Sequence, residues 1–272
     1  GRFPWETAYA GKSAPIVGDF QGDGQNEILY LDVFGSGYLI DNEGETYAEF
    51  QSSEDLNVFR STAMGQIDQL GADDIAITSR TGKILALTLS GELIFEYESD
   101  TIFAFSPVIA DFTGDGFNEV IAGGMDGKIY VIDRNGQDVA GFPLQLSGQT
   151  QSELALGRLS PEGPMQIVAG LGNGDLVVIG PEAEINQNYS QSLGGALSGS
   201  PVILDNGMIS IASNSMLYLI GSDGVPVSKA INGPVAGGLI VADLNRDAAL
   251  DVLWVSNSGV LWAVTQDGEN LP

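Results

Sequence analysis

The sequence contains no cysteine and no histidine among its 272 residues. Without cysteine there can be no disulfide, thiol nucleophile, cysteine–zinc site or iron–sulfur cluster. Without histidine the chain lacks the commonest general base, the usual zinc and copper ligand, and the Ser-His-Asp triad. Catalysis would have to use carboxylates, lysine, tyrosine or arginine. No acid pair stands out for that role, so we expect a non-catalytic protein; a lyase or glycosidase acting on polysaccharides is the less favoured alternative.

Basic residues are also scarce: 10 lysines and arginines stand against 36 acidic residues, for a formal net charge of −26. This charge repels DNA and RNA, so we expect no nucleic-acid partner. The chain has no apolar run near 18 residues, which argues against membrane insertion. Part of the acidity is explained by solubility, and part is expected to supply cation ligands.

The sequence repeats itself. Three runs share one plan, an apolar stretch, an acidic turn and a second apolar stretch, and their leading aspartates are Asp19, Asp111 and Asp243. The intervals of 92 and 132 residues correspond to two and three periods of roughly 45 residues. Weaker copies occur near residues 65, 157 and 204, which gives six units.

Turn dipeptides such as Asn-Gly and Asp-Gly separate alternating apolar runs within the units, a strong hairpin signal. We therefore predict an all-β fold: a six-bladed β-propeller of four-stranded antiparallel blades, forming a single domain over residues 1–272. The blades are predicted to start near residues 14, 61, 106, 153, 200 and 237.

The last unit lacks a fourth strand. The first residues, GRFPWETAYAG, resemble the GFPLQL run that supplies the fourth strand of the third unit. We predict that residues 1–12 complete the last blade, which would remove the open sheet edges. The alternative is that the last blade has one strand fewer.

The three strong turns carry oxygen-bearing side chains at loop positions 1, 3, 5 and 9. Ca²⁺ takes six to eight oxygen ligands, and a backbone carbonyl near position 7 can add another. The loops are not EF-hands, because position 12 is Tyr30, Ala122 or Trp254. The predicted ligands are Asp19, Gln21, Asp23, Gln25 and Glu27; Asp111, Thr113, Asp115, Phe117 and Glu119; and Asp243, Asn245, Asp247, Ala249 and Asp251, with the seventh position acting through its carbonyl.

Solvated turns are the alternative, since aspartate and glycine are common in turns anyway. Converging carboxylates without a cation would repel one another, which favours the metal. The other units do not repeat the pattern: QIDQLGADD has acids at Asp68, Asp73 and Asp74, but we expect a shorter loop there, and the turns of the fourth and fifth units have no ligand set. About three Ca²⁺ ions are predicted.

The repeated unit resembles the FG-GAP (integrin-α-like, VCBS-related) β-propeller repeat, and GGMDGKIYVIDRNGQDVAGFP also resembles blades of PQQ-type propellers. In that family the nine-residue loop joins the first two strands of a blade and binds calcium, which implies the same ligand set. Glutamate at position 9 in two loops, Gln21 and Thr113 at position 3, and Ala248 in place of glycine depart from the family pattern.

The resemblance implies that ligands bind on the rim opposite the calcium loops. There the second turn of each unit contributes Phe34, Arg80, Met125, Asn173, Asn214 and Asn257, and the blade connections contribute Phe59, Phe103 and Phe105, as a binding platform or as core. We expect a secreted, extracellular or cell-surface module (or a periplasmic one) for adhesion or assembly with protein partners, within a larger chain or surface structure. The alternative is a lectin-like, glycan-binding propeller. Trp254 and Trp262 are expected to pack in the core between blades, and stacking on a sugar is the less favoured alternative.

Overall fold

A computed structural model describes residues 6, 13–20, 23–50, 56–58, 62–71, 73–197, 199–231, 233–235 and 238–271, without the side chain of Tyr47. This part of the chain consists of β-strands and turns and contains no α-helix, which confirms the all-β prediction. It follows that none of these residues belongs to a helix able to cross a bilayer.

The strands form six antiparallel sheets, five of four strands and one of three. In chain order they are β1 Ile16–Gly18, β2 Glu27–Leu31, β3 Gly37–Ile40 and β4 Thr46–Phe50; β5 Ala63–Gly65, β6 Asp74–Thr78, β7 Lys83–Thr88 and β8 Leu93–Glu98; β9 Val108–Ala110, β10 Glu119–Gly123, β11 Lys128–Ile132 and β12 Leu144–Gln145; β13 Ala155–Arg158, β14 Met165–Gly170, β15 Asp175–Ile179 and β16 Gln191–Ser192; β17 Val202–Ile203, β18 Ile209–Ala212, β19 Met216–Ile220 and β20 Pro226–Ala230; and β21 Ile240–Ala242, β22 Asp251–Val255 and β23 Leu261–Val264.

The chain forms two compact units, residues 1–111 with 115–143, and residues 112–114 with 144–272. In each unit the second strands are mostly apolar and mostly buried, and in β10 and β18 every residue is buried. Such strands read as continuous apolar runs. The first unit contains a core cluster that includes Ile84, Ala86 and Val120, and the second contains one that includes Leu176, Ile209 and Ile211.

Tight turns close the hairpins where the sequence places glycine. Gly127 and Gly136 have φ values of 81° and 75°, and they are the glycines of the Asp-Gly and Asn-Gly dipeptides on the two sides of β11. Residues with a Cβ are disfavoured in this left-handed region. The turn dipeptides therefore fix the ends of the strands locally.

The three-stranded sheet differs from the others at its outer strand, β23. Leu261 pairs with Val255 next to the second turn and is 65% exposed, whereas Ile129, Leu176 and Leu217, at the corresponding places in other sheets, are each 0% exposed. Leu176 and Leu217 pack against residues of the next sheet, and a fourth strand pairs with each of them. The predicted closing strand, residues 1–12, lies outside the described residues except for Glu6.

The loop in the second sheet is not shorter, contrary to our expectation. Gly65 pairs with Asp74 as Gly18 pairs with Glu27, so Gln66–Asp74 and Asp19–Glu27 have the same length. The expectation of a shorter loop was wrong: the loop has nine residues, and Gln66 stands at its first position where the first loop has Asp19.

Candidate metal and binding sites

Four first turns have the same length and the same left-handed conformation at position 6. They are Asp19–Glu27, Gln66–Asp74, Asp111–Glu119 and Asp243–Asp251, each beginning directly after the first strand of its sheet and ending on the first residue of the second strand. Position 6 has a positive φ in all four, with values of 85°, 100°, 89° and 69° at Gly24, Gly71, Gly116 and Ala248. Ala248 adopts the left-handed conformation in spite of its Cβ, so the loop geometry does not depend on glycine alone.

The acid at position 9 is buried in every one of these loops: Glu27 and Asp74 are 2% exposed, Glu119 is 2% and Asp251 is 1%. In three of the loops the carboxylate of this acid accepts a hydrogen bond from the backbone N–H of position 2. The bonds run from Phe20 to Glu27 (2.9 Å), from Ile67 to Asp74 (2.7 Å) and from Leu244 to Asp251 (3.0 Å). Buried N–H groups need such partners. In these three loops the acid at position 9 therefore holds the two ends of the loop together through this hydrogen bond, and we call it the clamp.

The aspartate at position 1 organises the turn in the same way. Asp19 accepts hydrogen bonds from the N–H groups of Asp23 (3.0 Å) and Gly24 (2.9 Å), and Asp243 accepts the matching bonds from Asp247 (3.2 Å) and Ala248 (3.1 Å). In the third sheet the N–H of Gly116 donates to Asp111 at 3.2 Å. A carboxylate oxygen has two lone pairs, so these bonds leave capacity for a cation.

The first loop brings three carboxylates together. Oxygens of Asp19, Asp23 and Glu27 all lie within 4.8 Å of one another. Ligands at 2.3–2.6 Å from a Ca²⁺ ion are separated by at most about 5 Å, so this group fits one ion. The acids of the loops Asp111–Glu119 and Asp243–Asp251 also belong to the described residues. Their carboxylate oxygens do not form a group in which all lie within 4.8 Å of one another.

The remaining predicted ligands have other contacts. Gln21 lies outside the described residues, and the side chain of Gln25 accepts a hydrogen bond from Asn42 at 2.8 Å. The Phe117 ring lies 3.8 Å from the Arg134 guanidinium, and Asn245 donates to Asp247 at 2.9 Å. Thr113 and Ala249 also lie in their loops, where the N–H of Ala249 donates to Asp247 at 2.9 Å. The carbonyls at position 7 remain candidates only by their place in the loop.

The loop Gln66–Asp74 has the clamp, Asp74, but lacks the aspartates at positions 1 and 5. Gln66 and Leu70 stand at positions 1 and 5, where the other loops have aspartate. Burial raises the pKa of Asp74 above its ordinary value of 3.8, against the lowering effect of the bonds from Asp68 and Ile67. Sequence reasoning missed this clamp, although an acid eight residues after the loop's first residue and directly before an apolar run was a usable signal.

The first and third turns of a sheet lie together. The Asn42–Gln25 bond joins them in the first sheet, and the Arg134–Phe117 contact joins them in the third. The second turns therefore belong to the other end of each sheet, as antiparallel strands require.

At that other end the aromatic residues separate into two groups. Phe103 is buried at 2% exposure and meets the Tyr130 ring edge-on at 5.2 Å, so it belongs to the core. Phe105 is half-buried, Phe34 is 36% exposed, and Phe59 lies outside the described residues. The other second-turn residues are mostly exposed: Arg80, Asn173, Asn214 and Asn257 face solvent, and Met125 is half-buried.

Polar side chains form a small network at the second turn of the fourth sheet. Ser147 donates to Asp175 at 2.7 Å and Asn173 donates to the same carboxylate oxygen at 2.9 Å. The bond from Ser147 contributes most to lowering the pKa of Asp175. In the last sheet Trp254 is 2% exposed and stacks on Trp262 with ring centroids 6.1 Å apart, which agrees with the predicted core packing.

Comparison with known proteins gives one family match and many structural ones. Residues 75–145 match the family model described as the lambda-carrageenase β-propeller domain. No curated protein sequence matches the chain. The match spans too little of the chain to assign it to that family, and FG-GAP membership is not shown.

The solved structures show the fold. BBS1N in complex with ARL6DN, from a crystal soaked with lead, has 13% sequence identity and a TM-score of 0.65, over 96% of this chain and 80% of the other. BamB from Moraxella catarrhalis has 17% identity and a TM-score of 0.64, over 95% and 77%. These neighbours have propeller folds. The chain is thus a β-propeller scaffold.

Proposed function

We propose that this protein is a non-catalytic, calcium-stabilised propeller that binds protein partners outside the cell. The likeness to BBS1N, solved in complex with ARL6DN, is the observation that carries protein binding. A rigid scaffold with variable turns at each end suits that role. Adhesion or assembly at a cell surface or in the periplasm follows from this proposal, as does a place within a larger chain.

Calcium is proposed first at Asp19, Asp23 and Glu27. Three carboxylates within 4.8 Å of one another repel without a cation, and two of them are exposed, so an ion can reach them. A cation that binds the folded loop ties the first strand of the sheet to the second and stabilises the fold by linkage. The loops at Asp111 and Asp243 stay predicted sites, which brings the proposed total to three ions.

The finer architecture proposed is six blades with residues 1–12 as the last fourth strand. Support comes from the similarity of the FP pair in residues 1–12 to that in GFPLQL and from the last sheet, which has three strands where the other sheets have four. Removal of residues 1–12 should lower the melting temperature clearly, because a blade edge would lose its cover. An unchanged melting temperature would contradict the proposed closure.

Glycan binding is the second candidate. The family model that matches residues 75–145 is named for a carrageenase, and carrageenan is a polysaccharide. Polysaccharide cleavage is the third and least favoured possibility. The net charge of −26 disfavours an acidic polysaccharide as ligand unless cations intervene.

Parallel binding assays separate these functions. The calcium-loaded protein is exposed to a random peptide library and to a glycan array, and a panel of polysaccharides is assayed for new reducing ends. Protein binding predicts saturable peptide ligands and no glycan signal. A glycan signal without peptide ligands would replace the proposal with the second candidate, and cleavage would replace it with the third.

A further inference from the structure

The most exposed large apolar side chain in the described part of the chain is Leu70, at 86%. It stands at position 5 of the loop Gln66–Asp74, which has the length of the calcium-type loops and their left-handed conformation at position 6 but lacks their aspartates at positions 1 and 5. We propose that this loop docks a protein partner that has an apolar pocket bordered by lysine or arginine, with Leu70 as the anchor. This inference rests on the proposed protein-binding function and adds a site on the calcium-loop side of the sheets.

Several hydrogen bonds hold Leu70 in place before any partner arrives. Its own N–H donates to Asp68 at 2.7 Å, and Gln66 donates to the carbonyl of Gly71 at 3.1 Å. Gln69 donates to the carbonyl of Gly116 in the neighbouring loop at 2.6 Å. These bonds hold the backbone that presents Leu70, so this turn loses little backbone entropy on association.

The same position has a different use in the other loops. Asp23, Asp115 and Asp247 fold back and accept the N–H of position 7 at 2.8–2.9 Å. Leu70 has no oxygen to make that bond, and its side chain is left in solvent instead. Turn positions are normally polar, and burying a leucine side chain is strongly favourable, so a partner's pocket is the place where this side chain gains most.

The acidic residues near Leu70 indicate which kind of partner surface fits this loop. Asp68 and Asp73 flank Leu70 in its own loop, and Asp115 is exposed in the loop that the Gln69–Gly116 bond attaches to it. One cation, Arg134, lies on Phe117 in that neighbouring loop. An apolar centre inside a polar rim is the anatomy of protein interfaces, and this rim is acidic. The complementary surface therefore carries cations around an apolar pocket.

The test uses a random peptide library selected on the full chain in calcium buffer. Expected binders combine an apolar side chain with lysine or arginine, and their affinity falls when salt is raised, because exposed charges are screened. Leu70→Ala should weaken binding by about tenfold. Leu93→Ala is the matched control, since Leu93 is also exposed (57%) but lies on the outer strand of the same sheet.

A second measurement does not need a variant. The apolar residue of a selected peptide is replaced by a photoreactive one, and the cross-link is mapped; it should fall within residues 66–74. Binders that are insensitive to Leu70→Ala and cross-link elsewhere would overturn this docking site while leaving the protein-binding function intact. No binder of any kind would count against both.

Discussion

The loops Asp19–Glu27 and Gln66–Asp74 have the same length and the same kind of buried acid at position 9, yet only the first gathers three carboxylates. Asp74 is 2% exposed and binds the backbone of a loop that has no aspartate at positions 1 and 5. The acid at position 9 thus serves the turn itself. The aspartates at positions 1 and 5 are the residues that turn a clamped loop into a cation site.

Removing the clamps should have the largest effect on stability. Asp74→Ala leaves the N–H groups of Ile67 and Asp68 without their acceptor, and each buried unsatisfied donor costs about 1–3 kcal/mol. Glu27→Ala removes the acceptor of Phe20 in the same way. Urea unfolding in chelator should show losses of at least about 2 kcal/mol for Asp74→Ala and about 1 kcal/mol for Glu27→Ala. An unchanged free energy of unfolding for Asp74→Ala would show that the clamp is not important.

Calcium should distinguish the two loops next. At a free concentration about ten times Kd, a bound ion adds about 1.4 kcal/mol, so Ca²⁺ should raise the melting temperature of the wild-type protein. The first loop contributes part of that rise in melting temperature. Asp19→Asn should remove most of this contribution, because it neutralises one of the three carboxylates that lie together. Asp68→Asn, the same acid-to-amide change at position 3 of the other loop, should leave the rise intact. Equal effects of the two changes would contradict the separate roles.

Converting one loop into the other has a smaller expected effect. Gln66→Asp together with Leu70→Asp gives the second sheet acids at positions 1, 3, 5 and 9. Without calcium the added like charges should destabilise the fold by about 1 kcal/mol; with calcium that loss should be recovered. Native mass spectrometry should then count one more Ca²⁺ ion than in the wild-type protein. An unchanged ion count would mean that these positions do not suffice.

The smallest effect is expected for Asp74→Asn. Both N–H groups bond to one oxygen of Asp74, and an amide oxygen can accept them in the same way. The pKa of Asp74 is raised in the folded state, so its ionised form costs stability above that pKa and the cost is absent below 3.8. The variant should be at least as stable as the wild-type protein at pH 7, and the free energies of unfolding of the two should converge at about pH 3. Urea unfolding at both pH values measures this difference in the free energy of unfolding. A variant that is less stable than the wild-type protein at pH 7 would contradict the prediction.

The repeat period and the turn dipeptides predict the sheets well, because strand alternation and left-handed glycines are local properties. The first loop's converging acids were predictable for the same reason: Asp19 and Asp23 are placed by the spacing of one turn. The clamp at Asp74 was not found: its spacing and the apolar run that follows single out the acid, but its bond to the backbone N–H of Ile67 depends on burial in the folded loop. Phe103 could not be assigned to core or surface because its packing against Tyr130 is a tertiary contact.

Calorimetric titration of Ca²⁺ into chelator-stripped protein tests the central claim most directly, with the wild-type chain and Asp19→Asn with Asp23→Asn measured side by side. The account predicts saturable binding in the wild-type protein and at least one site fewer in the double variant, while the circular-dichroism spectrum stays that of the same β fold. Identical isotherms for the two proteins, or no binding at millimolar Ca²⁺, would contradict it.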